Sequence, residues 1–220
     1  MTIDEIYQFV QFLANKDQRG YIKPSEFNLA VERAQLDEIK ELIANESTHQ
    51  NYDKLRTVID KTTITYSATG NGAFTLPSDY LYFLSATFDS DGPVHYEVEM
   101  VNHDQLFKKI NSTIVFPSSS YPIGVIMEDG IEIYNNTSGA DATAGNVVLN
   151  YVKIPAAPVW TYQLVNNMYV YDASSASLQQ LTLPESTHQD IISRVVSYLG
   201  VSLREADLVE YSELKMKDKE

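Results

Sequence analysis

Apolar and polar positions change period twice along this chain. From Ile3 to about Ala44 apolar residues recur at helical spacing. From Thr62 to about Leu181 they mostly alternate or form short β-branched runs. From Glu185 onward the helical spacing returns. Ile3, Ile6, Val10 and Leu13 form the first helical stripe, opened by Thr2 and Glu5 in capping-box spacing. Tyr7, Phe9 and Phe12 add apolar surface on other faces, so this helix is expected to be covered on more than one side. Pro24 fits the first turn of a second helix running to about Ala44, with Phe27, Val31, Ala34, Ile39, Leu42 and Ile43 on its apolar side. A shorter helix is predicted around Tyr52 to Ile59.

The β region begins at Thr62–Tyr66, which Gly70-Asn71-Gly72 is expected to turn back as a hairpin onto Ala73–Leu76. The stretch from Leu76 to Met100 reads as the organising pair of strands, with Asp91-Gly92-Pro93 as its turn. In its second half Tyr96, Val98 and Met100 share one face, and His95, Glu97 and Glu99 the other. A short helix from Asn102 to Ile110 follows. Val125–Met127 and Ile131–Ile133 form a predicted hairpin across Asp129-Gly130. Val147, Leu149 and Tyr151 alternate as a strand, and Trp160–Leu164 and Met168–Tyr171 make a hairpin around Asn166-Asn167. Leu178–Leu181 is a candidate edge strand. Thr182 and Glu185 have helix-start spacing. Ile191, Ile192, Val195, Val196 and Leu199 then give the clearest amphipathic stripe, which Gly200 is expected to interrupt.

Helices, then roughly eight strands, then helices predict an α+β fold. The terminal helices are expected to pack as a bundle with an inserted, mainly antiparallel β domain. The boundaries read as 1–61 and 183–220 for the helical domain and 62–182 for the β domain. Phe27, Val31, Ile191, Val195 and Leu199 are the candidates for its core or for an interface.

Charge and composition narrow the function. The net charge is −14, from 16 basic and 30 acidic residues, which disfavours a protein that grips nucleic acid through phosphates. There are no cysteines, so no disulfide, thiolate metal site or cysteine nucleophile is possible. No secretory signal is expected from the first twenty residues, and no apolar run is long enough to cross a membrane. The 15 tyrosines suit half-buried sheets and interfaces.

Chemistry is harder to find. His49, His95, His103 and His188 have no metal-ligand spacing and read as polar loop or surface residues. No nucleophile motif or phosphate loop is present. Glu97 and Glu99 form a carboxylate pair with acid–base geometry in principle, but a solvated strand face explains them better. The loop Asn135–Gly145 is rich in oxygen ligands yet holds one acid, Asp141, and lacks a calcium-loop pattern. Trp160, Tyr162, Tyr169 and Tyr171 would suit a sugar-stacking platform or, more ordinarily, sheet packing. No catalytic, cofactor or metal residue is therefore assigned, and no cofactor is expected.

Four segments, taken in order, carry a family resemblance. They are Gly20 to Asn28 (GYIKPSEFN) before a helix with an alanine face, Leu76 to Tyr80 (LPSDY) opening a strand, Asn150 to Lys153 (NYVK) followed by Pro155, and Leu183-Pro184-Glu185 leading through His188 and Asp190 into Ile191-Ile192. The set resembles the head-to-tail adaptor proteins of short-tailed bacteriophages, of the type carried by crAss-like phages. The chain departs from the compact tail-tube adaptors in a longer N-terminal helical region and an extra hairpin after Lys153. The resemblance implies a non-enzymatic virion protein, assembled in the bacterial host cytoplasm. Its partners would be the portal protein, further ring or tail proteins and copies of itself in a ring of twelve. DNA would pass through the channel without specific binding, and no membrane is implied. Two other classes compete: a β-rich carbohydrate- or receptor-binding virion module using Trp160 and its neighbours, and a cell-wall hydrolase using Glu97 or Glu99.

Overall fold

The computed structural model describes residues 1–15, 21–45, 49–66, 73–89, 95–128, 130–135 and 145–203. Among the described residues, five helices and ten strands make an α+β fold. The chain divides into two compact units: Met1–Val58 with Pro155–Glu220, and Ile59–Ile154.

The first unit contains α1 (Ile3–Asn15), α2 (Pro24–Ala44), α3 (His49–Leu55), the hairpin β9 (Tyr162–Val165) and β10 (Met168–Tyr171), and α5 (Glu185–Leu203). The capping box of α1 is formed: the Glu5 N–H donates to Thr2 Oγ1 at 3.2 Å, and the Thr2 N–H donates to Glu5 Oε2 at 2.8 Å. Pro24 occupies the first turn of α2, where its missing N–H costs nothing. Helix α5 packs against both α1 and α2. Phe27 and Val31 of α2 and Ile191, Val195 and Leu199 of α5 are all buried. These five candidates are therefore core residues of a single copy, not surface offered to another. Gly200 does not interrupt α5, because the helix continues to Leu203. The sequence also suggests a final helix, capped by Ser202 to Glu205 and carrying Leu208 and Leu214; from residue 204 on it lies outside the described residues, as do the turns at Gly70–Gly72 and Asp91–Pro93.

The expected boundary at residue 182 is displaced. Residues 155–182 belong to the helical unit, not to the β unit. The physical reason is a set of hydrogen bonds from this irregular segment to helices far away in sequence. Gln35 of α2, only 1% exposed, donates through Nε2 to Ala156 O at 3.3 Å and accepts from the Thr182 N–H at 2.9 Å. Gln180 Oε1 accepts from the Ile3 N–H at 2.8 Å. The expected strand at Leu178–Leu181 reduces to one bridge between Val159 and Gln179.

The second unit holds two four-stranded sheets. The first has the order β1 (Ile59–Tyr66), β8 (Gly145–Lys153), β3 (Tyr80–Asp89), β4 (His95–Glu97), all antiparallel. The second has the order β2 (Ala73–Thr75), β7 (Gly130–Tyr134), β6 (Ile123–Met127), β5 (Glu99–Met100). Pairs β2–β7 and β6–β7 are antiparallel, whereas β5 runs parallel to β6. A parallel pair needs a crossover, and α4 (His103–Ile110) provides it.

Ala86, Phe88, Val147, Leu149 and Tyr151 of the first sheet and Ile131 and Ile133 of the second form one core cluster. Ile123 and Val125 face the other way and pack with Leu106 of α4, which makes a third layer. Gly124 sits where a side chain has no room: a Cβ there would lie 2.9 Å from Val98 Cγ1 and 2.6 Å from Met100 Sδ.

Two pairings differ from expectation. Strands β1 and β2 do not form a hairpin; β1 joins β8 and β2 joins β7, in different sheets. The organising strand is β8, central in its sheet and paired on both sides, whereas β4 meets β3 only at Thr87–Asp89. The alternation from His95 to Met100 holds in burial, but the run is split between the sheets. The Val98 N–H donates to Ala86 O, and the next N–H, of Glu99, donates to Pro122 O.

Candidate functional site

The feature that stands out in the helical unit is the β9–β10 hairpin and the aromatic joint at its root. Asn166 and Asn167 turn it with φ of 51° and 64°, the left-handed pair that a two-residue hairpin turn requires and that asparagine tolerates best after glycine. The register pairs Tyr171 with Tyr162 and Tyr169 with Leu164, which places these four on one face. Gln163, Val165, Met168 and Val170 share the other.

The first face is anchored. Trp160, just before β9, is 2% exposed. Its ring stacks on Tyr7 of α1 at 4.1 Å and lies 6.0 and 5.9 Å from Tyr162 and Tyr171. Trp160 Nε1 donates to Asp4 Oδ1 at 2.9 Å. Asn28 of α2 holds the Trp160 backbone in both directions, accepting from its N–H at 2.9 Å and donating to its carbonyl at 3.2 Å. Further out, Tyr169 stacks on Tyr21 at 5.8 Å and meets Tyr162 edge-on at 4.8 Å. Tyr7 donates to Ile22 O at 3.0 Å; burial, together with the bond to Tyr21, pushes its phenol well above the ordinary value. The four aromatics proposed for sugar stacking are thus brought together, but as a packed joint. The indole has rings on its surface and offers no open face to a ligand.

The second face is open. Met168 is 63% exposed, and Val165 and Val170 are both about half exposed; on the first face only the outer end is open, where Leu164 is 65% exposed. Helix α1 is open too: Phe12 is 62% exposed, with Phe9 beside it one turn earlier. The expectation that α1 is covered on more than one side is met at Ile6 and Val10 and at Tyr7, which lies under Trp160, but not at Phe9 and Phe12.

A polar cluster that sequence reading missed lies between α2 and α5. Glu38 is buried and accepts from Arg194 Nε at 3.1 Å, while Arg194 also pairs with the exposed Glu41. Burial raises the Glu38 carboxyl above the usual carboxylate range, and the bond from Arg194 opposes that shift without cancelling it. Tyr198 donates to Asp37 Oδ2 at 2.6 Å and lies under the Arg33 guanidinium at 5.3 Å. The signal was available: Gln35 and Glu38 fall inside the helical stripe defined by Phe27, Val31, Ala34 and Leu42.

The other candidates separate. Glu97 and Glu99 lie on different strands, both exposed, and Glu99 is paired with Lys109. Among the histidines, His95 and His103 are exposed. His188 is instead buried, which corrects the surface reading. One ring nitrogen lies 3.1 Å from Leu183 O, and the other, Nδ1, has no partner. Burial depresses its pKa below the ordinary histidine value. Among the described residues no three acidic or histidine side chains converge as metal ligands. The oxygen-rich loop, apart from Asn135 and Gly145, lies outside them. Where α1 meets α5, a small crevice is lined by Val10, Ala14, Ile22, Val196 and Leu199 and presents no polar side chain to orient a ligand. No helix among the described residues is long and apolar enough to cross a membrane.

The chain matches no family model and no curated protein.

Proposed function

We propose that this chain is a structural virion subunit. Copies of it form a ring of twelve below the portal that joins the capsid to the tail and surrounds the DNA channel. The observation that carries this reading is the apolar surface that each unit leaves open in one copy. In the helical unit it is Phe9, Phe12, Leu29 and the outer face of the β9–β10 hairpin. In the β unit it is Phe107, the consecutive Ile114-Val115-Phe116 and Tyr121. Scattered exposed apolar residues are ordinary, but neighbouring ones on the same element mark surfaces that another protein covers. An acidic chain of net charge −14 suits a channel wall that DNA slides past, since like charge prevents sticking. The resemblance to phage adaptors gives the order of terminal helices around a β insert the same meaning. On this reading the protein performs no chemical step, its neighbours are the portal and further ring or tail proteins, and its place is the head–tail interface of the virion.

The reading is tested by sedimentation and negative-stain microscopy of the purified chain, at low and high salt, with and without portal protein. A net charge of −14 opposes self-association at low salt, and screening should ease it. The expected result is a monomer or weak oligomer alone, and a closed ring on the portal. A chain that never binds portal at any salt would overturn the assignment, as would a cleared band in a cell-wall zymogram.

A further inference from the structure

We infer that neighbouring copies meet head to tail, with the outer face of the β9–β10 hairpin of one copy covering the Phe9–Phe12 side of α1 on the next. This rests on the ring reading above and specifies which surfaces form the ring. The geometry shows first why the occupant comes from outside the copy. The hairpin root is fixed on the side of α1 that carries Asp4 and Tyr7, through the Trp160 hydrogen bond and stack. Each helical residue advances about 100°, so Phe9 and Phe12 lie roughly 140–160° round the helix from Tyr7. The hairpin meets its own copy through the tyrosine face, so the opposite face, with Val165, Met168 and Val170, is not the one turned toward its own α1.

The hairpin in turn needs a cover. A two-stranded hairpin is marginal alone. One face of this one is secured by the aromatic joint, while Val165, Met168 and Val170 on the other remain in water.

Charge selects a second copy as the occupant. Between Ile6 and Asn15, and again between Pro155 and Tyr171, the chain has no ionisable acid or base other than tyrosine, although Asp172 reaches the root of the outer face by accepting from Gln163 Nε2 at 2.8 Å. In a chain of net charge −14, these neutral stretches are where two copies approach with least repulsion. A basic partner would be drawn to the acidic faces instead. Because the two surfaces differ, the contact is heterologous, and repeating it generates a ring when the rotation closes.

The absence of cysteine makes a direct test possible. Phe12→Cys and Met168→Cys each alter an exposed side chain and leave the core untouched. The two variants are mixed under conditions where sedimentation shows oligomers, or on portal, and treated with a short bis-maleimide. The expected result is a shift to twice the chain mass in the mixture but in neither variant alone, joined between position 12 of one chain and 168 of the other by mass spectrometry. A chain carrying both substitutions should give a ladder of higher multiples. Product from either variant alone, a Phe12→Cys chain that links only to portal, or oligomers that form without product would overturn the interface. Those outcomes leave the ring assignment standing, whereas a chain that stays monomeric and never binds portal removes both.

Discussion

The joint between α1 and the hairpin gives a sharp test at Asp4. Its Oδ1 accepts from Trp160 Nε1 at 2.9 Å, and the indole is almost fully enclosed. In Asp4→Ala the N–H is left buried and unpaired, at a cost of about 1–3 kcal/mol. The mutation also removes an acid from the first turn of α1, where a negative charge contributes about 0.3–1 kcal/mol. The expected loss is therefore about 1.3–4 kcal/mol. Asp4→Asn keeps an oxygen in the same place and should lose only the charge contribution, about 0.3–1 kcal/mol. Urea unfolding measures the difference, and fluorescence reports it locally because Trp160 is the chain's one tryptophan and belongs to the helical unit. A second arm follows Asp4→Ala in a Trp160→Phe background by circular dichroism. There the donor is gone, so the cost should fall to that of the charge. Equal losses in Asp4→Ala and Asp4→Asn, or an undiminished loss in the phenylalanine background, would refute the hydrogen-bond reasoning.

Three further outcomes concern residues of α5. Arg194→Met leaves Glu38 buried without its cation and should cost about 3–5 kcal/mol, most of it recovered in Glu38→Gln/Arg194→Met, as thermal unfolding would show. Val195→Asp places an uncompensated charge at a fully buried position and should cost roughly as much; wild-type thermal stability would contradict burial. His188 has a folded pKa below its unfolded value, so the unfolded chain takes up the proton first. Its contribution is complete above the unfolded value of about 6.5 and is lost as pH falls through the folded one. The difference between wild type and His188→Gln should therefore shrink or reverse on acidification; a difference independent of pH would count against a buried neutral imidazole.

Features encoded locally were legible in the sequence. The capping box at Thr2 and Glu5, the Pro24 start of α2 and the stripe of α5 are set by residues within a turn or two, and each forms where expected. So do the β6–β7 and β9–β10 hairpins; in the second, Asn166 and Asn167 supply the left-handed turn themselves, whereas in the first Gly130, expected in the turn, belongs to β7 and pairs with Met127. Pairing between distant segments was not legible. Strands β1 and β2 are neighbours in sequence with a strong turn signal between them, yet each finds a better partner more than fifty residues away. No local pattern ranks those alternatives, because the decision lies in which sheet buries which face. Residues 155–182 were misassigned for a related reason. Their alternating aromatics looked like more of the β region, while the bonds from Asn28 and Gln35 that tie them to α2 come from polar side chains with no periodic signature. The open face of the hairpin was half legible: alternation showed which residues share it, but not that Val165, Met168 and Val170 stay exposed.

The pairing of β1 with β8 bears on the order in which the chain acquires structure. Ile59 lies opposite Val152, so the β unit is closed by its own first and last strands. Once Ile154 has left the ribosome, every strand of that unit is available. The helical unit must wait for α5, which carries Ile191, Val195 and Leu199. Domains generally fold as units during synthesis, so the inserted part is expected to be complete while α1 and α2 are still unpartnered. For the helical unit, the finished insert then replaces a long floppy loop with two chain ends already held side by side. The closure entropy that would have slowed the meeting of α2 with α5 has by then been met within another part of the molecule.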